Sequence, residues 1–152
     1  MYQHILVPID GSDTAERGLQ EAIRLASEQK SRLRLMYVID DFPMLVELAS
    51  VSSFENSLQQ LRNYGEQVLA KAVKLAGDSG VPAEPVLREV TQGRVADVIV
   101  GEAKAAGCDL IAMGTHGRRG FSRMALGSDA DLVVRSSPVP VLLLRHETAA
   151  DA

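Results

Sequence analysis

Hydrophobic positions fall in two rhythms along this chain. Short, nearly unbroken apolar runs recur at His4–Asp10 (HILVPID), Arg32–Asp40 (RLRLMYVID), Ala83–Val90 (AEPVLREV), Cys108–Gly114 (CDLIAMG) and Val139–Arg145 (VPVLLLR). Runs of this length, closed by Gly, Ser or Asp, predict strands buried on both faces. Between them the apolar residues take helical spacing. Ala15, Leu19, Ala22, Ile23 and Ala26 form one stripe, and Leu58, Leu61, Val68, Leu69, Ala72 and Leu75 form a longer one that ends around Gly77 to Gly80. Val95, Val98 and Ile99 open a third helix ending near Gly107, and a fourth is expected from about 128 to 136.

Local chemistry sharpens the boundaries. Pro8 has no amide to give a ladder, so it belongs near the end of the first strand, and Pro85 interrupts the third. Ser12 is placed to cap the first helix, with Asp13 and Glu16 in its first turn, where the helix dipole favours negative charge. Residues 41 to 56 (DFPMLVELASVSSFEN) are longer than most connections and partly apolar, which leaves a short helix or a flap open. Strands alternating with helices, and apolar on both sides, imply a mainly parallel sheet sandwiched between helices. In such open sheets ligands bind beyond the carboxyl ends of the strands, at a topological switch point. Asp10, the end of the second strand near Val38, and the segment after Gly114 all leave carboxyl ends.

Composition narrows the function classes. The 152 residues are 46% apolar, enough for one domain with a real core. The formal charge of −4 gives no global basic field for nucleic acid. No apolar run approaches the roughly 20 residues of a membrane helix, and the N-terminus lacks the features of a signal peptide. The single cysteine, Cys108, allows no internal disulfide and fits a reducing, cytoplasmic setting. Preceding an apolar strand, Cys108 reads as a small buried hydrophobe. Three scattered histidines do not make a metal site: His116 reads as an exposed loop residue, and His4 and His146 as surface or strand-edge residues. The tail 147–152 is expected to fray.

The segment MGTHGRRGFSRMALGSDAD, Met113 to Asp131, carries the chemistry. Glycines at 114, 117, 120 and 127 let a ligand approach the backbone without a Cβ in the way. Gly127-Ser128 directly precedes a helix, whose free amides and dipole favour an anion. Arg118, Arg119 and Arg123 add positive charge, with Arg118 as candidate phosphate contact, although solvated charges are the common fate of loop arginines. Together these read as a phosphate site for a nucleotide whose base lies across the first two strands. The competing local reading is that Ser128-x-x-Asp131 forms a near capping box and Asp10 caps the turn at Gly11. Neither the P-loop pattern nor the dinucleotide fingerprint is present.

What does match is G-x-x-G, nine residues, then G-[ST], here Gly114, Gly117 and Gly127-Ser128. With ILVPIDGS at the start and DLIAMGTHGRRG before the motif, residues 2 to 145 resemble the universal stress protein family, in its ATP-binding, glycine-motif subclass. The resemblance implies a single domain over 1–146, a five-stranded parallel sheet with helices on both faces, Rossmann-like and similar to adenine-nucleotide alpha hydrolases. It implies a stress-response regulator that binds ATP, with ADP or AMP as alternatives and Mg²⁺ carried by the nucleotide, and that pairs as a homodimer through the last strand, Val139 to Arg145. Pro8 and Asp10 would lie against the adenosine, Asp10 facing the ribose, and Val38 would offer backbone groups to adenine. Met113 and Gly114 would line the nucleoside, and Gly117, Gly127 and Ser128 the phosphates. At the next two positions many members carry a small apolar residue and then a hydroxyl. This chain has Asp129, which brings negative charge, and Ala130, which keeps only its amide. Two other functions stay open: a slow Mg-dependent ATPase or phosphoryl-transfer enzyme, and a nucleotide-free dimeric scaffold.

Overall fold

The computed structural model describes residues 1–40, 51–90, 92–115 and 127–145. Within them the chain runs β1 (His4–Pro8), α1 (Asp13–Gln29), β2 (Arg32–Asp40), α2 (Val51–Asp78), β3 (Ala83–Val90), α3 (Val95–Ala106), β4 (Leu110–Gly114), α4 (Ser128–Ser136) and β5 (Val141–Leu144). The strands form one sheet in the order β3-β2-β1-β4-β5, and every neighbouring pair is parallel. β1 sits in the centre, with β2 on one flank and β4 on the other. That reversal of direction is the switch point.

Two helices cover each face. Ile5, Val7 and Ile9 of the β1 segment join Leu19, Ala22, Ile23 and Ala26 of α1 and Leu58, Leu69 and Ala72 of α2 in one buried cluster. Leu6 and Met36 point the other way, into Ile99 and Ala103 of α3 and Ala130 and Val133 of α4. The period-two alternation along β1 therefore feeds two cores, which is why its run is apolar at every position.

Most expected elements form, with boundaries moved for local reasons. β1 stops at Pro8, short of Asp10. β4 starts at Leu110, after the Cys108 amide donates to the Ala103 carbonyl and the Asp109 amide to His4. α2 begins at Val51, absorbing part of the ambiguous segment; positions 51, 54, 58 and 61 continue the helical spacing of the stripe behind them. Pro85 does not interrupt β3, which runs continuously and pairs Pro85 with Leu35. β3 is an edge strand, where a missing amide can face outward at no cost to the ladder.

One expectation is overturned. His4 is a buried residue, 4% exposed, not a surface one. Its Nε2 lies 3.0 Å from Glu84 Oε1, and Glu84 also meets Arg34 at 2.9 Å. Arg34 then donates through Nε and a terminal nitrogen to Glu102 Oε1, at 2.8 and 2.6 Å, and Arg88 Nε donates to the other oxygen of Glu102 at 3.0 Å. A chain of five ionisable side chains thus joins β1, β2, β3 and α3. Cys108 lies beside it as a buried residue, its thiol pushed up to about 11, chiefly by burial. It is an inert packing residue, as its sequence position suggests.

Candidate functional site

The carboxyl ends of β1, β2 and β4 converge on the switch point, and each leaves polar groups there. At the end of β1, Ile9 donates its amide to the Met36 carbonyl at 2.8 Å, and the chain then leaves the sheet. Asp10 Oδ1 accepts the Ser12 amide at 2.9 Å, and Ser12 Oγ accepts the Ala15 amide at 3.2 Å, starting α1. The turn between them needs glycine. Gly11 has φ +82°, and a Cβ there would stand 2.5 Å from the Tyr64 hydroxyl of α2. The capping role of Asp10 is therefore real. It occupies one carboxylate oxygen, and the other has no hydrogen bond among the described residues.

Val38 follows from the register of β2. Arg32 donates its amide toward Gln3 on the β1 side at 3.0 Å, and Leu33 toward Pro82 on the β3 side at 2.8 Å. Even-numbered residues of β2 thus turn their backbone groups to β1. The last β1 pairing is Pro8 with Met36. The amide and carbonyl of Val38, one repeat further on, face a line that β1 has already left. A planar base with donor and acceptor edges suits such a backbone pair.

β4 and α4 supply the third side. Gly114 pairs with Leu144, and Thr115 donates its amide to the Leu144 carbonyl at 3.0 Å. The Thr115 carbonyl accepts the Gly127 amide at 2.7 Å, which ties together the two residues that flank 116–126. Gly117 and Arg118, with His116, Arg119, Gly120 and Arg123, lie outside the described residues. Met113 sends its side chain into the core under α3 and α4.

The start of α4 overturns the capping-box expectation. Gly127 is the N-cap, with φ −58° and ψ 148°, and no side chain among the described residues caps the helix. Ser128 is its first helical residue. Asp131 donates its amide to the Gly127 carbonyl at 2.9 Å, while its carboxylate accepts from Arg135 Nε at 3.1 and 3.2 Å. The amides of Ser128, Asp129 and Ala130 therefore precede the first intrahelical bond, with no side-chain oxygen among the described residues to take them. A helix start with open amides at the carboxyl end of a parallel sheet has the dipole and donors that favour an anion. A φ of −58° suits any residue, so Gly127 is not required by backbone strain. The absent side chain is what leaves the amides open.

The charge around this site is mixed. Asp129 carries a carboxyl raised above its usual range, first by desolvation and then by the Asp40 carboxylate, with Arg94 opposing. Arg94 is the N-cap of α3, and its amide donates to Asp97 Oδ2 at 3.3 Å. Among the described residues no group of three or more His, Cys, Asp or Glu side chains is arranged to hold a metal ion. No helix among them is long and apolar enough to cross a membrane.

Motif reading missed three residues near the site. Thr115 is buried and anchors Gly127 through its backbone, which no side-chain signature reveals. Tyr64 closes over Gly11 from a helix far away in sequence. Arg94 did carry a signal: arginine is a poor choice at a helix N-cap, where a short acceptor is preferred.

A five-stranded parallel sheet with helices on both faces and a switch point at β1 places the molecule among Rossmann-like α/β proteins. Comparison with known proteins gives the family. Residues 1–145 match the universal stress protein family, and the chain belongs to it. A universal stress protein of Methanocaldococcus jannaschii is 34% identical over 145 residues, covering 95% of this chain and 83% of that protein. Among solved structures, universal stress protein UspA from Lactobacillus plantarum superposes with a TM-score of 0.81 at 25% identity, covering 95% and 98% of the two chains. A universal stress protein family protein from Arabidopsis thaliana, solved with AMP bound, shares the fold with a TM-score of 0.70 at 19% identity, covering 97% and 94%.

Proposed function

We propose that this chain is an adenine-nucleotide-binding regulator of the universal stress class, with ATP as its principal ligand. The observation that carries the reading is the uncapped start of α4, held against β4 by the bond from Gly127 to Thr115. Phosphates would take the amides of Ser128, Asp129 and Ala130, with Gly117 and Arg118 contributing from the preceding segment. Asp10 would use its second oxygen for the ribose, with Pro8 beside it. Val38 would present its backbone pair to adenine, and Gly114 would let the nucleoside lie close. Mg²⁺ would arrive with the nucleotide. The AMP complex of the Arabidopsis protein supports this choice of ligand class.

Signalling needs no reaction. A nucleotide that binds one arrangement of the site more tightly shifts the population toward it, and a partner protein can read that shift. The working unit would be a homodimer joined through Val139 to Arg145. β5 is an edge strand whose Leu142 is 37% exposed. An apolar edge is a liability unless something pairs with it.

Calorimetric titration with Mg-ATP is expected to give a dissociation constant in the micromolar range, about −8 kcal/mol. Light scattering at tens of micromolar protein is expected to report a dimer that Leu142→Glu weakens. No heat and no thermal shift at millimolar ATP would leave the nucleotide-free scaffold as the better reading, which the clustering of Asp129 with Asp40 favours.

A further inference from the structure

We propose that Arg94 is a phosphate-reading residue of this site, one that sets how strongly the chain prefers a triphosphate to a monophosphate. The inference rests on the nucleotide reading above and assigns it a cation from an element outside the glycine motif.

The placement follows from register and packing. Asp40 is the last residue of β2 and pairs with Val90, the last residue of β3. Arg94 comes four residues after Val90 and heads α3. α3 and α4 lie side by side on the same face: Ala96 of the first turn of α3 and Ala130 of the first turn of α4 are buried in one cluster. Asp129 precedes Ala130. The starts of two helices and the end of β2 therefore meet beside the open amides of α4, and the electrostatic coupling of Asp129 to both Asp40 and Arg94 agrees with that meeting.

Capping does not explain an arginine here. A guanidinium has no acceptor, so it cannot bond the amides of its own helix. Its positive charge also sits at the positive end of the α3 dipole, where a cation is disfavoured. The side chain is exposed, and among the described residues it forms no ion pair. The site it borders has two carboxylates, Asp40 and Asp129, where polyphosphate charge would gather. A guanidinium is the cation suited to that position, because its fork can bridge phosphate oxygens while remaining charged at any physiological pH. Its attraction grows with the number of phosphate charges, whereas adenine and ribose recognition is common to all three nucleotides.

The test is calorimetric titration of ATP, ADP and AMP into wild type, Arg94→Ala, Arg94→Lys, Asp129→Ala and the Arg94/Asp129 double alanine variant, with melting temperatures of the unbound proteins as a folding control. Arg94→Ala is expected to weaken ATP about tenfold, equivalent to about 1.4 kcal/mol, and AMP less than twofold. Arg94→Lys should recover part of the ATP loss, and Asp129→Ala should tighten ATP. The double variant should depart from additivity, because both residues act on the same phosphates. Equal losses for ATP and AMP, or no change in either, would overturn the proposal while leaving nucleotide binding intact. A wild-type protein that binds none of the three would remove the nucleotide reading and this proposal together.

Discussion

The two ends of the sheet are built on opposite principles. Toward the amino end, and on the side under α3, charged groups are matched to partners. Asp109 accepts the amides of Gln3 and His4 at 2.9 and 3.0 Å, Ser31 donates to the Tyr2 carbonyl at 2.6 Å, and Glu102 gathers Arg34 and Arg88. Toward the carboxyl end the backbone groups of Val38 that face β1, one oxygen of Asp10 and the first amides of α4 have no such partners among the described residues. A buried polar group without a partner is costly, and native chains satisfy nearly all of them. Groups left open together at the carboxyl ends of a parallel sheet are, on the function proposed above, held for a ligand. The closed network serves stability, and the open groups are the ones the proposed function assigns to recognition. His4 marks the limit of closure. Its Nε2 faces Glu84 while its buried Nδ1 has no partner. With Nε2 carrying the proton, only a lone pair is left unused.

Glu102→Ala is the strongest way to break this comparison. Glu102 is 7% exposed and accepts from two arginines, so its removal takes from half-buried Arg34 its closest carboxylate and from exposed Arg88 its partner. Urea unfolding is expected to show a loss of about 3 kcal/mol, the upper scale of hydrogen bonds to a charged group. Nucleotide affinity of the folded fraction should stay within twofold. A large loss of affinity at equal folding would mean that the two ends are not independent.

Gly127→Val inverts the experiment. Because φ is −58°, valine adds no left-handed strain. The cost to the unbound protein should stay near or below about 1 kcal/mol, the scale of a changed N-cap. ATP affinity should fall about a hundredfold, some 2.8 kcal/mol, because a branched side chain would stand over the phosphate amides. Gly127→Ser offers a finer cut. Its hydroxyl would cap α4 and compete with phosphate, so the melting temperature should rise slightly while ATP affinity drops. Unchanged affinity in both variants would show that this glycine serves the turn alone.

Acid separates the two ends more gently. Burial by itself would push the carboxyls of Glu84 and Glu102 up, but Arg34 acting on Glu84, and Arg88 and Arg34 acting on Glu102, more than offset it, and both end below the usual range. The stability they contribute is fully present above the unfolded carboxylate pKa, about 4.3, and is lost as pH falls through the lowered folded values. Asp129 has the opposite sign. Its raised carboxyl costs stability once pH has risen through its folded pKa, so Asp129→Asn should stabilise the unbound protein at neutral pH. Unfolding titrations between pH 7 and 3 should show a steep acid limb that Glu84→Gln with Glu102→Gln flattens. An unchanged limb in that double variant would place the acid-sensitive groups elsewhere.

The amino-acid order by itself determined the elements and their layering. Apolar runs and helical stripes are local patterns, legible because a strand buried on both faces and a helix buried on one have different periods. The glycine spacing and the open-sheet rule also point to the carboxyl ends of the strands, where the ends of β1 and β2 and the start of α4 converge. What the tertiary structure alone decided was which polar groups meet. His4 read as a surface residue because its partner, Glu84, stands 80 positions away. Ser128 and Asp131 read as a capping pair because their spacing permits one, yet the bond from Gly127 to Thr115 sets the helix start one residue earlier and leaves the amides uncapped. Arg94 and Asp129 stand at the starts of different helices and are electrostatically coupled because α3 and α4 pack on the same face of the sheet. Periodicity reports the environment of a residue within its own element, whereas a hydrogen bond or ion pair depends on the position of a second element, which is fixed only when the sheet order and the helix packing close around one core.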